Sequence, residues 1–298
     1  MTGARPAALQ SPETGVRRVL ADNGSPMTDW GTNTYLLGEG RVAVIDPGPD
    51  DPAHLRAIIA ALARGERISH IFVTHAHRDH SALARPLALA TGAPVLAFGD
   101  ALAGRSAAIN ALAADGLAGG GEGIDRSFCP DETLSDGQTV TCPGWSLSCL
   151  HTPGHMANHM CFASGDAVFT GDHVMGWAST LISPPDGDLG AFMRSCRRLA
   201  ERADRVYYPG HGAPVSEPAG RIRWLMQHRR RGAQQILSAL GEGLHDIDAI
   251  AAHIYHDVPG ALLPAASRNV FAHLIDLVEQ SRVKAVPHAA LQARYFLK

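Results

Sequence analysis

The segment Thr74-His75-Ala76-His77-Arg78-Asp79-His80 puts three imidazoles and a carboxylate into six residues, directly after an apolar run over residues 68–73. Imidazole nitrogen and carboxylate oxygen are the donors a borderline-soft divalent cation takes, Zn²⁺ above all. Side chains alternate along an extended chain, so His75 and His77 share one face as the chain leaves a strand. Asp79 and His80 lie past the turn and reach toward a second ion beside the first. The pattern predicts a metal site and metal-assisted chemistry.

Other polar residues fall at the ends of predicted strands, where loops converge. His151-Thr152-Pro153-Gly154-His155, Thr170-Gly171-Asp172 and Tyr208-Pro209-Gly210-His211 each follow one, and Asp46 closes another. Glycine or proline stands beside the polar residue each time. Glycine lets the backbone come close to an ion, and proline stiffens the turn that aims the ligand.

The elements that must position these groups follow from periodicity and turn chemistry. Residues 1–15 read as flexible and 16–20 as an edge strand. Residues 32–37 and 41–46 form a hairpin around Gly38-Glu39-Gly40. Asp51-Pro52 opens a helix that runs to residue 63. Residues 68–73 form a buried strand whose C-terminal end delivers the histidine motif, the place for a ligand-bearing loop in a layered α/β domain. Ser81 caps a helix to about residue 90, and a strand over 94–98 follows. Residues 101–127 read as a partly helical excursion with a mobile tip at Gly119-Gly120-Gly121. No Lys-Ser/Thr follows those glycines, so a linker is favoured over a phosphate loop. Strands return at 138–142, 146–150, 160–163 and 167–170, then a helix at 188–203 and a strand at 206–208. Beyond residue 215 come helical patterns at 221–240, 246–255 and 264–279, and two short strands at 283–286 and 293–297. Three helices and a terminal hairpin are the pattern of a winged helix.

Bulk properties narrow the class. The chain has 298 residues, 45 % of them hydrophobic, enough for a large buried core. A formal charge of −3 excludes a strongly basic nucleic-acid-coating protein. Cys129, Cys142, Cys149, Cys161 and Cys196 form no CxxC pair, so free thiols in a reducing compartment are expected. The first fifteen residues lack the apolar core of a secretory signal, and no window approaches eighteen apolar residues. The expectation is a cytoplasmic enzyme without a membrane span.

Taken in order, His75-x-His77-x-Asp79-His80, Thr152-Pro153-Gly154-His155, Thr170-Gly171-Asp172 and Pro209-Gly210-His211 resemble the metal-ligand motifs of the metallo-β-lactamase-fold hydrolases. Thr32-Asn33-Thr34-Tyr35-Leu36-Leu37 and Ile45-Asp46-Pro47-Gly48 resemble that family's N-terminal hairpin. The resemblance implies an α/β protein: an αββα sandwich over residues 1–215, followed by a winged-helix appendage over 216–298. It implies one metal on His75, His77 and His155, a second on Asp79, His80 and His211, and Asp172 bridging the two. Asp46 would stand behind the ligand loop and orient it. Two divalent ions are implied, with Zn the default and Fe or Mn also suited to an N/O ligand set. Such a pair, roughly 3.5–4 Å apart, holds a water and lowers its pKa toward neutrality. Asp79 would orient that water and take its proton. His151 then reads as structural, His159 resembles a polar position that is not a ligand, and His173 has no family role.

Asp172 bears on the branch. Lactam-cleaving members commonly carry Cys or Ser there, which disfavours a β-lactamase. In the C-terminal region, the run from Gln227 to Leu237, Arg268-Asn269-Val270-Phe271-Ala272-His273-Leu274 and Val283-Lys284 resemble the appendage of the lactamase-beta-like 2 branch. That branch includes a single-strand-specific endoribonuclease and fungal polyketide thioesterases. The primary expectation is therefore hydrolysis of a thioester or other acyl-type small molecule. The alternative is metal-dependent cleavage of single-stranded RNA. A metal-sensing DNA-binding regulator is a third, non-enzymatic reading. Residues 215–298 carry ten basic and seven acidic residues, a weak excess for phosphate neutralisation. The cluster His228 to Arg231 reads as a solvated helix face. The appendage is expected to shape one wall of the active-site cleft or to form a homodimer contact.

Overall fold

The computed structural model describes residues 5–117, 119, 123–257, 260 and 263–298. Gly120 and Gly121, at the tip expected to be mobile, lie outside the described residues, as do residues 1–4 of the expected flexible start.

Two sheets face each other. The first has seven strands in sequence order: β1 (Leu9–Glu13), β2 (Val16–Leu20), β3 (Asn33–Leu37), β4 (Arg41–Ile45), β5 (Arg67–Phe72), β6 (Val95–Ala97) and β7 (Glu132–Thr133). It is antiparallel from β1 to β4 and parallel from β4 to β7. The second has five strands, ordered β12 (Val206–Pro209), β11 (Ala167–Gly171), β10 (Met160–Ser164), β9 (Trp145–His151) and β8 (Thr139–Cys142). Between the sheets lie Tyr35, Phe72, Leu147, Phe162, Phe169 and Tyr208. Burying each such side chain contributes roughly 1.5–3 kcal/mol.

Helices cover both outer faces, which gives the αββα order. Ile58 of α1 (Pro52–Ala60) and Leu87 of α3 (Ala84–Thr91) pack on Leu36, Val44 and Ile71. On the other side, Phe192 and Leu199 of α5 (Leu189–Ala200) and Ile222 and Leu225 of α6 (Pro218–Gly241) pack on Cys161, Val168 and Tyr207. Asp51 and Asp188 accept backbone N–H bonds at the starts of α1 and α5, as expected of N-caps.

The C-terminal region is α6 with α7 (Ile247–Ile254), α8 (Leu263–Glu279) and the antiparallel hairpin β13 (Val283–Val286) and β14 (Arg294–Leu297). Its core joins Ile236, Ile250, Phe271 and Tyr295. Ile109 and Leu112 of α4 (Ala107–Ala114), in the excursion from the first half of the chain, enter the same core.

Two expectations need correction. Residues 9–13 form a strand, so β2 is not the sheet edge. Pro12 and the polar run around it conceal β1, and an edge position is where a strand tolerates proline. Ser81 caps no helix. It ends the one-turn α2 (Arg78–Ser81), where its Oγ donates to His77 O at 3.0 Å, and α3 begins later, at Ala84. The two-residue β7 had no periodic signal.

Candidate metal centre and active-site cleft

The candidate ligands meet at one rim of the sandwich, where the C-terminal ends of β5 and β11 and the loops after β9 and β12 converge. β5 ends at Phe72, the chain bends at Thr74 and His75, and His77, itself extended, N-caps α2. His75 and His77 thus precede the turn, while Asp79 and His80 ride on it. Asp172 follows β11, and His211 follows β12. Asn33 and Tyr35 of the first sheet hold the His211 loop: Asn33 Nδ2 donates to Pro209 O and Gly212 O, both at 2.9 Å, and Tyr35 Oη donates to Pro209 O at 2.9 Å.

The donor atoms form two clusters. His77 Nδ1 lies 2.9 Å from His75 Nε2 and 3.0 Å from His155 Nε2. Across from them, His211 Nε2 is 3.2 Å from His80 Nε2 and 3.2 Å from Asp79 Oδ2. Asp172 stands between: its Oδ2 is 3.7 Å from His155 Nε2 and 3.3 Å from His211 Nε2, and its Oδ1 is 3.5 Å from His80 Nε2. His75–His77–His155, His75–His80–Asp172 and Asp79–His80–His211 each have the spacing to hold an ion. A tetrahedron with bonds of about 2.0–2.1 Å has edges of about 3.3 Å, close to these separations.

Hydrogen bonds on the far side of each ring decide the tautomers. His80 Nδ1 donates to Asp46 Oδ2 at 2.9 Å, His155 Nδ1 to Leu181 O at 2.7 Å and His211 Nδ1 to Gly31 O at 3.2 Å. Thr74 Oγ1 gives its own proton to Asp46 Oδ2 at 2.8 Å, so at 2.9 Å it accepts one from His75 Nδ1. In their neutral form these four rings turn Nε2 lone pairs to the centre. Facing lone pairs repel unless a cation lies between them. Asp172 Oδ1 is buried with no hydrogen-bond donor among the described residues, and a cation would satisfy it. The residues present thus fit a divalent metal site.

Electrostatics separates the clusters. Burial, reinforced by neighbouring imidazoles, holds His75 well below the usual histidine range and His77 at about 3. Burial acts the same way on the other cluster, but carboxylates outweigh it. Asp79, Asp172 and Asp46 hold His80 well above the usual range, and Asp172 and Asp79 raise His211 to about 9. Burial opposes charge on Asp79 and Asp172 too, yet the same imidazoles hold both well below the ordinary carboxylate range.

Asp46 has a left-handed backbone, φ 52°, which Asp tolerates better than most residues. This turn lets its carboxylate accept from Thr74 N at 2.7 Å as well as from Thr74 Oγ1 and His80 Nδ1. Gly210 is needed for a different reason: a Cβ there would sit 2.5 Å from Asp172 Oδ1 and from His80 Cε1.

The other flagged histidines lie off the centre. His151 bonds Ala157 O at 2.9 Å and stacks on Phe98. His159 bonds Thr152 Oγ1 at 3.0 Å and stacks against His75. His173 packs on Phe192, away from the cleft.

Asp79, Asp172, His77, His155 and His211 open onto a cavity of about 460 Å³. Its remaining wall is largely apolar, with Pro26, Met27, Met175, Trp177 and Leu181, and one cationic side chain, Arg78. Sequence reasoning missed this wall, because residues 172–187 follow no helical or strand period. Trp177 packs against Gly212, where a Cβ would meet its ring at 2.5 Å, so the wall touches the His211 loop directly.

Comparison with known proteins agrees with the geometry. The model of the metallo-beta-lactamase superfamily matches residues 27–211, and that of the beta-lactamase associated winged helix domain matches 247–289. The lactamase-like protein aptB of Emericella nidulans is 31 % identical, over 95 % of this chain and 87 % of its own length. The beta-lactamase-like protein 2 homolog of Drosophila melanogaster is 30 % identical, over 90 % and 89 %. The atrochrysone carboxyl ACP thioesterase AgnL7 of Paecilomyces divaricatus is 34 % identical, over 79 % and 68 %. Among solved structures, a beta-lactamase domain protein from Burkholderia ambifaria superposes with a TM-score of 0.80 at 20 % identity, over 100 % of this chain and 96 % of that one. The chain belongs to the metallo-β-lactamase superfamily, as a hydrolase with a C-terminal winged-helix domain, related to beta-lactamase-like protein 2 and the lactamase-like thioesterases.

Proposed function

We propose that the protein is a dinuclear metal-dependent hydrolase of acyl thioesters, with residues 1–215 as the catalytic unit and 216–298 as an appendage. His75, His77 and His155 would hold one divalent ion, Asp79, His80 and His211 the other, and Asp172 both, with zinc the expected metal and iron or manganese the alternatives. When bound, such ions supply a water-derived nucleophile at neutral pH and polarise the substrate carbonyl.

The chain's own groups do the rest. Asp46 and Thr74 fix the ring planes of His80 and His75 from behind. The Asp79 side chain is 28 % exposed and lines the cleft, which supports a role in orienting the attacking water and taking its proton. A thiol leaving group, with a pKa of about 8.5, departs without a strong acid.

The observation that carries the substrate class is the apolar wall opposite Asp79 and Asp172. An acyl chain is matched by Met27, Met175, Trp177 and Leu181. RNA would call for several cations and stacking surfaces along a groove, and this cavity has Arg78 alone among cationic side chains. The ACP thioesterase relative supports the same choice. The free cysteines, four of them buried, support action in a reducing compartment.

The test is side-by-side incubation of the metal-loaded protein with a panel of acyl thioesters and with labelled single-stranded RNA. Metal-dependent release of thiol without RNA cleavage is the expected result. RNA cleavage with no thioester turnover would replace this reading with the endoribonuclease one.

A further inference from the structure

The wall of the cleft is held from the C-terminal helices, through its backbone. Arg221 of α6 donates from Nε to Met175 O and from Nη2 to Ala178 O, both at 2.6 Å. Arg229, two turns further along α6, donates from Nη2 to Thr180 O and from Nη1 to Asn269 Oδ1 at 2.8 Å. Arg268 of α8 donates from Nη1 to Pro184 O at 2.9 Å. Four carbonyls between residues 175 and 184 thus accept from three guanidinium groups on two helices.

The held segment bears on both the cavity and the ligand loops. Met175, Trp177 and Leu181 line the cavity. Thr180 Oγ1 donates to Asp172 O at 2.6 Å, and Leu181 O accepts the Nδ1 proton of His155 at 2.7 Å. Arg229 therefore connects through Thr180 to the backbone of Asp172, and through the next residue to the ring of His155.

Arg229 is only 3 % exposed, unlike the solvated face expected for His228 to Arg231, and its acceptors, Thr180 O and Asn269 Oδ1, are neutral. A buried cation with neutral acceptors adds little to stability, and an apolar side chain would fill the space at lower cost. Its value lies in the geometry it imposes. A guanidinium has fixed, planar donors and so defines where a carbonyl sits more sharply than a flexible ammonium does.

We propose that Arg221, Arg229 and Arg268 are positioning residues: they clamp the 175–184 segment by its carbonyls, and so set which acyl chain the cleft admits and how His155 presents Nε2. Arg221 governs the wall around Trp177. Arg229 governs the Thr180–Leu181 link to the candidate metal centre. The selectivity half rests on the thioesterase reading, whereas the metal half does not.

The experiment compares full-length wild type with Arg221→Met, Arg229→Met and Arg229→Lys. Three quantities are read: zinc affinity by chelator competition, hydrogen exchange of residues 175–187, and KM and kcat for a short and a long acyl thioester. Arg229→Met should weaken the retention of one zinc by up to about tenfold, the low end of the effect of losing a ligand's own partner, because it loosens the segment that carries Leu181 O. Arg229→Lys should restore part of it. Arg221→Met should speed exchange in the segment and raise KM for the long substrate on the order of tenfold with little change in kcat. Variants with a lowered melting temperature but wild-type zinc affinity, exchange and KM ratio would reduce the arginines to structural supports and overturn the proposal. If wild type hydrolyses no thioester, the substrate reading fails, while the zinc and exchange measurements still decide the clamp.

Discussion

Asp46 accepts the Nδ1 proton of His80 at 2.9 Å, across 34 residues of sequence, and this one bond turns His80 Nε2 toward the centre. The other carboxylate oxygen takes Thr74 N. A single side chain therefore anchors both ends of the histidine-rich loop. Asp46→Ala should keep the fold and weaken zinc binding on the order of 10- to 100-fold. Competition with a chromogenic chelator measures this; unchanged affinity would mean that the loop is rigid without Asp46.

Among the described residues, Asp172 is the one carboxylate within 3.7 Å of both histidine clusters. Asp172→Ala should lose at least one metal by elemental analysis, together with most activity. Two metals retained at normal turnover would remove its bridging role.

Gly210→Ala tests the tightness of the centre. The added Cβ would push on Asp172 Oδ1 and His80 Cε1, each 2.5 Å away. Overpacking of this kind costs about 1–3 kcal/mol. The variant should fold, with a lower melting temperature, and bind less than two equivalents of zinc. Full metal content would show that the loop after β12 yields.

Trp177→Ala should remove part of the apolar wall. Loss of such a contact is worth about 1–3 kcal/mol, so KM for a long acyl thioester should rise about tenfold or more. The ratio of KM values for long and short substrates reads this out; a ratio identical to wild type would detach Trp177 from substrate binding.

Acid should destabilise the fold through histidines outside the centre. Burial lowers His54 to about 4 and His273 to about 3. Both stay neutral in the fold while the unfolded chain protonates near 6.5. Their contribution is therefore complete above about pH 6.5 and is lost as pH falls toward 4, by up to about 1.4 kcal/mol per histidine per pH unit. Denaturant unfolding from pH 7.5 to 5 measures the slope. His273→Gln should flatten it by about one proton; an unchanged slope would assign the acid sensitivity elsewhere.

The candidate ligand residues are legible in the sequence because each stands beside a strand end marked by Gly, Pro or Thr. A strand period followed by a turn signal locates a loop to within a residue or two. The hairpin of β3 and β4 and the helices α1 and α5 are legible for similar reasons: alternation in the first case, Asp N-caps in the second. The cleft wall is not. Met175, Trp177 and Leu181 sit on an irregular segment whose conformation is set from outside, by Arg221 and Arg229 bonding its carbonyls. A carbonyl acceptor is the same in every residue, so the partner of such an arginine leaves no mark on the sequence. β1 escaped for the opposite reason, since its one telling residue, Pro12, argues against a strand everywhere except at an edge.

The long helix α6 belongs to two cores. Ile222 and Leu225 pack under the second sheet, and Ile236 and Leu240 pack with α8 and the terminal hairpin. From the other direction, α4 lends Ile109 and Leu112 to the C-terminal core. Each half of the chain thus completes the interior of the other. The consequence is cooperative melting: each half needs side chains of the other to complete part of its interior, so heat or denaturant should take both apart in one transition, and the candidate metal centre with them.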